Sequence, residues 1–267
     1  MHFFYGRMIF SRAIVGAFVL CAPLYGMDMV RDGHDEARAR RSFLQQRICN
    51  GDSIAIGELL QYVDLSTPLD ALGHTPLHYA AEHGQTDIVC LLLHHGALPH
   101  SQSASGDTPL HAASRRGDAG IVEMLLARGA HAWLAGAWGR TPLHLAAESG
   151  TPFVVEQLLR NGADATARDA GGMRPLHLAM RREDGGVEVG EALVRFGDSE
   201  QLSLDDDDGD LPLDIALRGR RLDLINFLLW HGAPCSTDLR ELTRELCEDS
   251  DIVRLLRAYG RVHGDLS

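Results

Sequence analysis

One seven-residue pattern occurs five times in the chain: TPLHYAA at Thr75 to Ala81, TPLHAAS at Thr108 to Ser114, TPLHLAA at Thr141 to Ala147, RPLHLAM at Arg174 to Met180 and LPLDIAL at Leu211 to Leu217. The first four copies start 33 residues apart and the fifth follows after 37. A fixed period of this size means that one small unit is laid against copies of itself. Each unit buries its apolar face on the next, so a stack is expected rather than a single closed globule.

The pattern has a local physical reading. Thr75, Thr108 and Thr141 suit helix N-caps, because a hydroxyl can accept from an otherwise unpaired amide. The proline that follows each of them sits at the first helical position, where its missing N–H is harmless. Small pairs such as Ala80-Ala81 and Ala146-Ala147 allow neighbouring inner helices to approach closely, and Leu91-Leu92-Leu93 and Leu125-Leu126 supply bulk from a second helix. Gly-Ala closes that second helix at Gly96, Gly129, Gly162 and Gly232, and a glycine stands two residues before every heptapeptide, at Gly73, Gly106, Gly139, Gly172 and Gly209.

With these motifs the chain resembles the ankyrin-repeat family over roughly residues 42 to 260. The resemblance implies an all-α solenoid of stacked helix-turn-helix units with projecting β-turn fingers and degenerate capping repeats. The expected boundaries are an N-terminal cap at 42–69, repeats at 70–102, 103–135, 136–168, 169–205 and 206–236, a C-terminal cap at 237–260 and a tail at 261–267. In the first cap Leu44 and Gly51 keep the register of Leu77 and Gly84, with Arg47 and Ile48 where Ala80 and Ala81 stand. The closing cap is expected as a shortened helix pair, Leu239 to Cys247 and Ile252 to Tyr259, kept soluble by Arg240, Arg244, Arg254 and Arg257. The four extra residues of the long repeat are placed at Gly185-Gly186 in the interhelical turn and in the acidic loop near Asp205.

Residues 1–26 contain Arg7 and Arg12, no acid, an apolar run from Ala13 to Leu20 and small residues at Ala22 and Gly26, the pattern of a signal peptide, with Met8 an alternative start. The apolar run is short of the roughly 20 residues that span a bilayer, so export to a periplasmic or secreted location in a bacterium is expected, with an uncleaved N-terminal anchor as the alternative. Residues 27–41 read as a charged linker.

Every one of the 25 basic residues is arginine. Without lysine the chain can form no P-loop, Schiff-base amine or Ser-x-x-Lys nucleophile. A net charge of −12 repels phosphate backbones, so nucleic acid is not an expected partner. The cysteines show no CxxC spacing. Cys235 and Cys247 flank the start of the closing cap and could pair in an oxidising compartment or remain thiols, and Cys49 and Cys90 are expected to be exposed.

Four histidines, His78, His111, His144 and His177, repeat at one position. The resemblance assigns them a structural role, each bonding back to the cap threonine and the neighbouring loop in one tautomer. Ligands to one zinc must lie within about 2.0–2.1 Å of a single point, which side chains from separate layers do not. Asp214 replaces the histidine where Leu211 has lost the cap hydroxyl. Cys90 and His94 stand four apart, with His95 and His100 close by, a weak metal constellation without a carboxylate. The run Asp205 to Asp210 lacks the first and twelfth ligands of a calcium loop, which would fall on Leu204 and Ile215, and reads as a solvated turn. No cofactor, metal site or catalytic residue is expected.

What remains is a surface. The resemblance places Glu82 and His83, Arg115 and Arg116, Glu148 and Ser149, Arg181 and Arg182, and Arg218 at inner-helix ends facing a concave groove. It places Ala71-Leu72, Ala104-Ser105, Ala137-Trp138, Ala170-Gly171 and Asp207-Asp208 at fingertips, with Arg140 behind the third and Trp133 in the linker before it. Trp138, Arg140, Arg115, Arg116, Arg181, Arg182, Glu82, His83 and Leu72 are the expected partner-binding residues, because exposed Trp and Arg dominate interface hot spots and arginine forks fit carboxylates. The expectation is a monomeric, non-catalytic scaffold that binds another protein. The alternatives are a membrane-tethered structural protein and a metal-dependent enzyme on the same scaffold.

Overall fold

The computed structural model describes residues 33–60, 63–184, 186–197, 199–234 and 250–263. The leader, residues 27–32 of the linker, the cap segment Leu239 to Cys247 with the Cys235 and Cys247 pairing, and residues 264–267 lie outside the described residues. Among the described residues the regular structure is thirteen α-helices and two 3-10 segments, with no strand. They fall into two compact units, Met1–Ala97 and Leu98–Ser267.

The first unit holds α1 (Gly33–Cys49), α2 (Ser53–Leu59), α3 (Pro76–Glu82) and α4 (Thr86–His94), with α1 packed on α3 and α2 on α4. Leu44, Ile48 and Ile56 meet the same layer as Leu77, Ile88 and Leu92, all fully buried. Asp52 caps α2 by accepting the Ala55 amide at 3.1 Å. Helix α1 runs back to Gly33, through residues assigned above to the linker.

The second unit holds four helical hairpins: α5 (Pro109–Arg116) with α6 (Ala119–Ala127), α7 (Pro142–Ser149) with α8 (Pro152–Arg160), α9 (Pro175–Arg181) with α10 (Gly186–Phe196), and α11 (Pro212–Arg218) with α12 (Leu222–Trp230). A further helix, α13 (Ser250–His263), packs on α12. Inner helices stack as α5, α7, α9, α11 and outer helices as α6, α8, α10, α12. The inner layer is thin because Ala113, Ala146, Ala147, Ala179 and Ala216 fill it, and the outer layer is thick with Ile121, Leu125, Val155, Leu158, Leu193, Leu224 and Leu228. Fully burying each of these larger side chains stabilises the stack by about 1.5–3 kcal/mol.

The long repeat spends its four extra residues differently from the sequence expectation. The outer helix α10 has eleven residues where α4, α6, α8 and α12 have nine, so two of the four lengthen a helix. One more lies in the interhelical turn and one in the following loop. Gly186 opens α10 rather than lying in the turn. A Cβ there would sit 2.7 Å from the Ala179 carbonyl oxygen, and one on Gly190 would sit 2.8 Å from the Phe227 ring. These glycines let a longer helix press against both neighbours.

Between hairpins the chain makes the same finger each time. An amide donates to a carbonyl further along the finger, five residues on in the first, Leu69 to His74 at 2.7 Å, and four on in the rest, Ser103 to Asp107 at 2.8 Å, Gly136 to Arg140 at 2.8 Å, Asp169 to Met173 at 2.9 Å and Asp206 to Asp210 at 3.0 Å. The last of these corrects in part the reading of the acidic run as a solvated turn: Asp205, Asp207 and Asp208 are exposed, as expected, but two of the run are not. Asp206 and Asp210 are buried, and Asp206 Oδ1 accepts the amides of Asp208 at 3.0 Å and Asp210 at 2.9 Å.

Candidate protein-interaction face

The histidine row holds the fingers in place. The amides of Thr75, Thr108 and Thr141 donate to Nδ1 of His78, His111 and His144 at 3.1, 3.0 and 3.1 Å, and the threonine hydroxyls lie 2.8, 2.8 and 2.9 Å from the same nitrogens. An amide can only donate, so Nδ1 carries no proton and Nε2 does. In the second unit that Nε2–H reaches the finger of the next repeat: His111 to the Arg140 carbonyl at 3.1 Å, His144 to Met173 at 3.1 Å and His177 to Asp210 at 3.2 Å. Burial pushes His144 and His177 below the usual imidazole value, outweighing the upward pull of those carbonyl bonds. Where Asp214 replaces the histidine, its Oδ2 takes the Leu211 amide at 2.9 Å. Arg174 replaces the cap threonine in the fourth copy, and its guanidinium reaches the Thr166 and Asp205 carbonyls at 2.5 and 3.4 Å.

The fingers differ in what holds their tips. In the first unit Asp70 accepts from the His74 amide at 2.9 Å, the His74 ring at 2.8 Å and the Tyr79 hydroxyl at 2.9 Å. Burial raises the Asp70 carboxyl, but those bonds outweigh it and hold it below its ordinary value. The Tyr79 hydroxyl is pushed up to about 12 by burial and by Asp70. In the second unit Asp169 locks its own finger by accepting the Gly171 and Met173 amides, both at 2.9 Å.

The third finger has glycine at that position. A Cβ on Gly136 would lie 2.1 Å from Asp107 Oδ1 and 2.9 Å from the His111 ring, because Asp107 reaches across to accept the Ala137 amide at 2.9 Å. The tip then turns through Trp138 at φ 60, ψ 24 and Gly139 at φ 69, both left-handed. Trp138 and Arg220 are the two non-glycine residues of positive φ among the described residues. For an aromatic residue this backbone state costs about 1–2 kcal/mol. The Trp138 carbonyl is fixed by the Ala170 amide at 2.7 Å, and its side chain is 80% exposed. Its neighbours along the row of tips are small, Ala104-Ser105 on one side and Ala170-Gly171 on the other, so the indole stands clear of the row.

The arginines separate into two groups. Arg140 is held by Glu148 at 2.9 Å and Asp169 at 3.3 Å, and Arg182 by the Asp184 carboxylate and carbonyl, both at 2.8 Å, and by the Glu148 carbonyl. Arg218 forks onto Asp210. Arg115, by contrast, is 3.8 Å from Asp107, whose Oδ1 is engaged with Ala137. Arg115, Arg116 and Arg181 are exposed at inner-helix ends. In the first unit Leu72 is 62% exposed, Glu82 is exposed, and His83 Nδ1 donates to the Tyr79 carbonyl at 2.9 Å.

Cys49 and Cys90 are half-buried rather than exposed, and burial raises the Cys49 thiol. Cys90 Sγ and His94 Nδ1 are 3.6 Å apart, but that nitrogen is also 3.0 Å from the Cys90 carbonyl. Among the described residues no three His, Cys, Asp or Glu side chains converge to hold a metal ion. Trp133 packs against the His131 ring, centroids 4.6 Å apart, which half-occupies it. Sequence reasoning missed Trp230, 85% exposed at the end of α12. Its register with His94, Ala127 and Arg160, at the ends of three other outer helices, was the available signal.

The ankyrin-repeat family model in three copies matches residues 95–169 and 143–238, and the single-repeat model matches 72–104. The chain is also similar to the 2-5A-dependent ribonuclease of Mus musculus, 43% identical over 60 residues. That stretch is 22% of this chain and 8% of the ribonuclease, so it likens the two proteins in a short part only. With hairpins, fingers and histidine bonds repeating through the matched region, the chain belongs to the ankyrin-repeat family.

Proposed function

We propose that the protein is a non-catalytic scaffold that binds one partner protein through the second unit, by the fingertips and inner-helix ends around Trp138. Repeats of this family are in general protein-interaction modules. The observation that carries the reading here is the left-handed backbone at Trp138, which places a large exposed indole where glycine would be more stable. Arg115, Arg116 and Arg181 supply the polar rim. A patch of about 800 Å² per partner would occupy several repeats, and its rigid spacing limits the ordering entropy lost on association.

The test is affinity capture from extracts of the source organism with the wild-type chain and with Trp138→Gly. A partner retained by the first and lost by the second supports the reading, and equal retention refutes it. From the sequence pattern of residues 1–26 we propose further that the chain is exported from a bacterial cell. N-terminal sequencing of the protein purified from its source tests this, and an intact Met1 or Met8 favours the tethered form instead.

A further inference from the structure

The arginines that the chain pairs with its own acids, and those it leaves exposed, set the chemistry of the partner segment. At the inner-helix ends of the second unit Arg218 closes its fork on Asp210 and Arg182 is spent on Asp184 and on the end of α7. Glu148, the acid between the exposed arginines of α5 and α9, is taken by Arg140 at 2.9 Å. Arg115 keeps only a 3.8 Å approach to Asp107, an oxygen-to-nitrogen distance too long for a hydrogen bond. Arg181 is exposed one helix pair further on. Both are arginines, whose planar guanidinium fork pairs with a carboxylate through two parallel bonds.

Resting on the partner-binding reading, we propose that this face takes an extended acidic segment of a partner protein, with one carboxylate for Arg115 and a second for Arg181. Helices α5, α7 and α9 are successive neighbours in the inner layer. Two steps of about 8–10 Å put the guanidinium groups roughly 20 Å apart. An extended chain advancing about 3.3 Å per residue covers that span in about six residues. The net charge of −12 does not forbid an acidic partner, since charges beyond a Debye length of about 8 Å are screened at physiological salt. The segment is met by the local arginines.

The test is selection of a random twelve-residue phage-displayed peptide library on the full chain at physiological salt. The expected result is enrichment of Asp or Glu at two positions about six residues apart, with binding of the selected peptide weakened at least about tenfold by Arg115→Glu with Arg181→Glu. Circular dichroism confirms the fold of that variant, and Arg115→Gln with Arg181→Gln replaces it if it does not fold. No enriched peptide, a consensus poor in acids, or an acidic consensus indifferent to charge removal each overturns the proposal. An acid-poor consensus that still requires Trp138 would overturn the acidic segment and leave the partner-binding reading standing. A consensus indifferent to both sites would overturn both.

Discussion

The third finger, residues 136–140, and the fourth, 169–173, close with the same main-chain bond, at 2.8 and 2.9 Å, and rest on the same histidine support from below. They differ in how the tip is paid for. The fourth finger fastens its tip with its own aspartate: Asp169 accepts the Gly171 and Met173 amides, and Gly171 at the tip needs no positive φ. The third has surrendered that aspartate for Gly136, borrows Asp107 from the preceding finger, and holds Trp138 left-handed and exposed. One finger is built for stability, and the other spends stability to display a side chain. That contrast is what a contact residue looks like inside a repeating frame.

The largest expected effect removes the support common to both fingers. His144→Ala leaves the Thr141 amide and the Met173 carbonyl without their buried partner, and urea unfolding should show a loss of about 3 kcal/mol, with His111→Ala similar under the third finger. Protonation should act on the same support. Nδ1 receives an amide, so a second ring proton has nowhere to point. The folded values of His144 and His177 lie below the unfolded value of 6.5, so the unfolded chain binds protons first. Stability should be full above about pH 6.5 and decline as pH falls through the depressed folded values. Thermal melts from pH 8 to pH 5 check this, and His144→Asn should flatten the slope.

Next in size is giving the third finger the residue of the fourth. Gly136→Asp drives a side chain into Asp107 and the His111 ring and should destabilise by about 2 kcal/mol, measured by the same urea unfolding. If stability is instead unchanged, the two fingers are interchangeable and the contrast drawn between them is lost. A smaller change sharpens the comparison of the repeats beneath. Ser114 stands in the register of Ala147, and its buried hydroxyl has no hydrogen-bond partner. Ser114→Ala should stabilise by about 1 kcal/mol in thermal and urea melts.

The frame was legible from residues alone because it repeats. Thr-Pro at each inner-helix start, alanines in the thin layer and the histidine at the fourth position each appeared often enough to read through the exceptions at Arg174, Leu211 and Asp214. The face was less legible. Sequence placed Trp138 on a fingertip but could not give its left-handed backbone, because that depends on Asp107 reaching across from another repeat. Arg140 and Arg182 read as surface cations, and their pairing with Glu148, Asp169 and Asp184 depends on side-chain conformations that spacing does not encode. Asp206 and Asp210 read as solvated because a run of acids usually is, and here the finger turns two of them inward.

Whether Trp138 is kept for contact against the preference of its backbone is decided by measuring Trp138→Gly twice, for stability and for partner capture. The variant is expected to be more stable by about 1 kcal/mol, from relief of the left-handed state, and no longer to retain its partner. A less stable chain that still captures the partner would mean that the indole serves the fold, and would contradict its retention for contact.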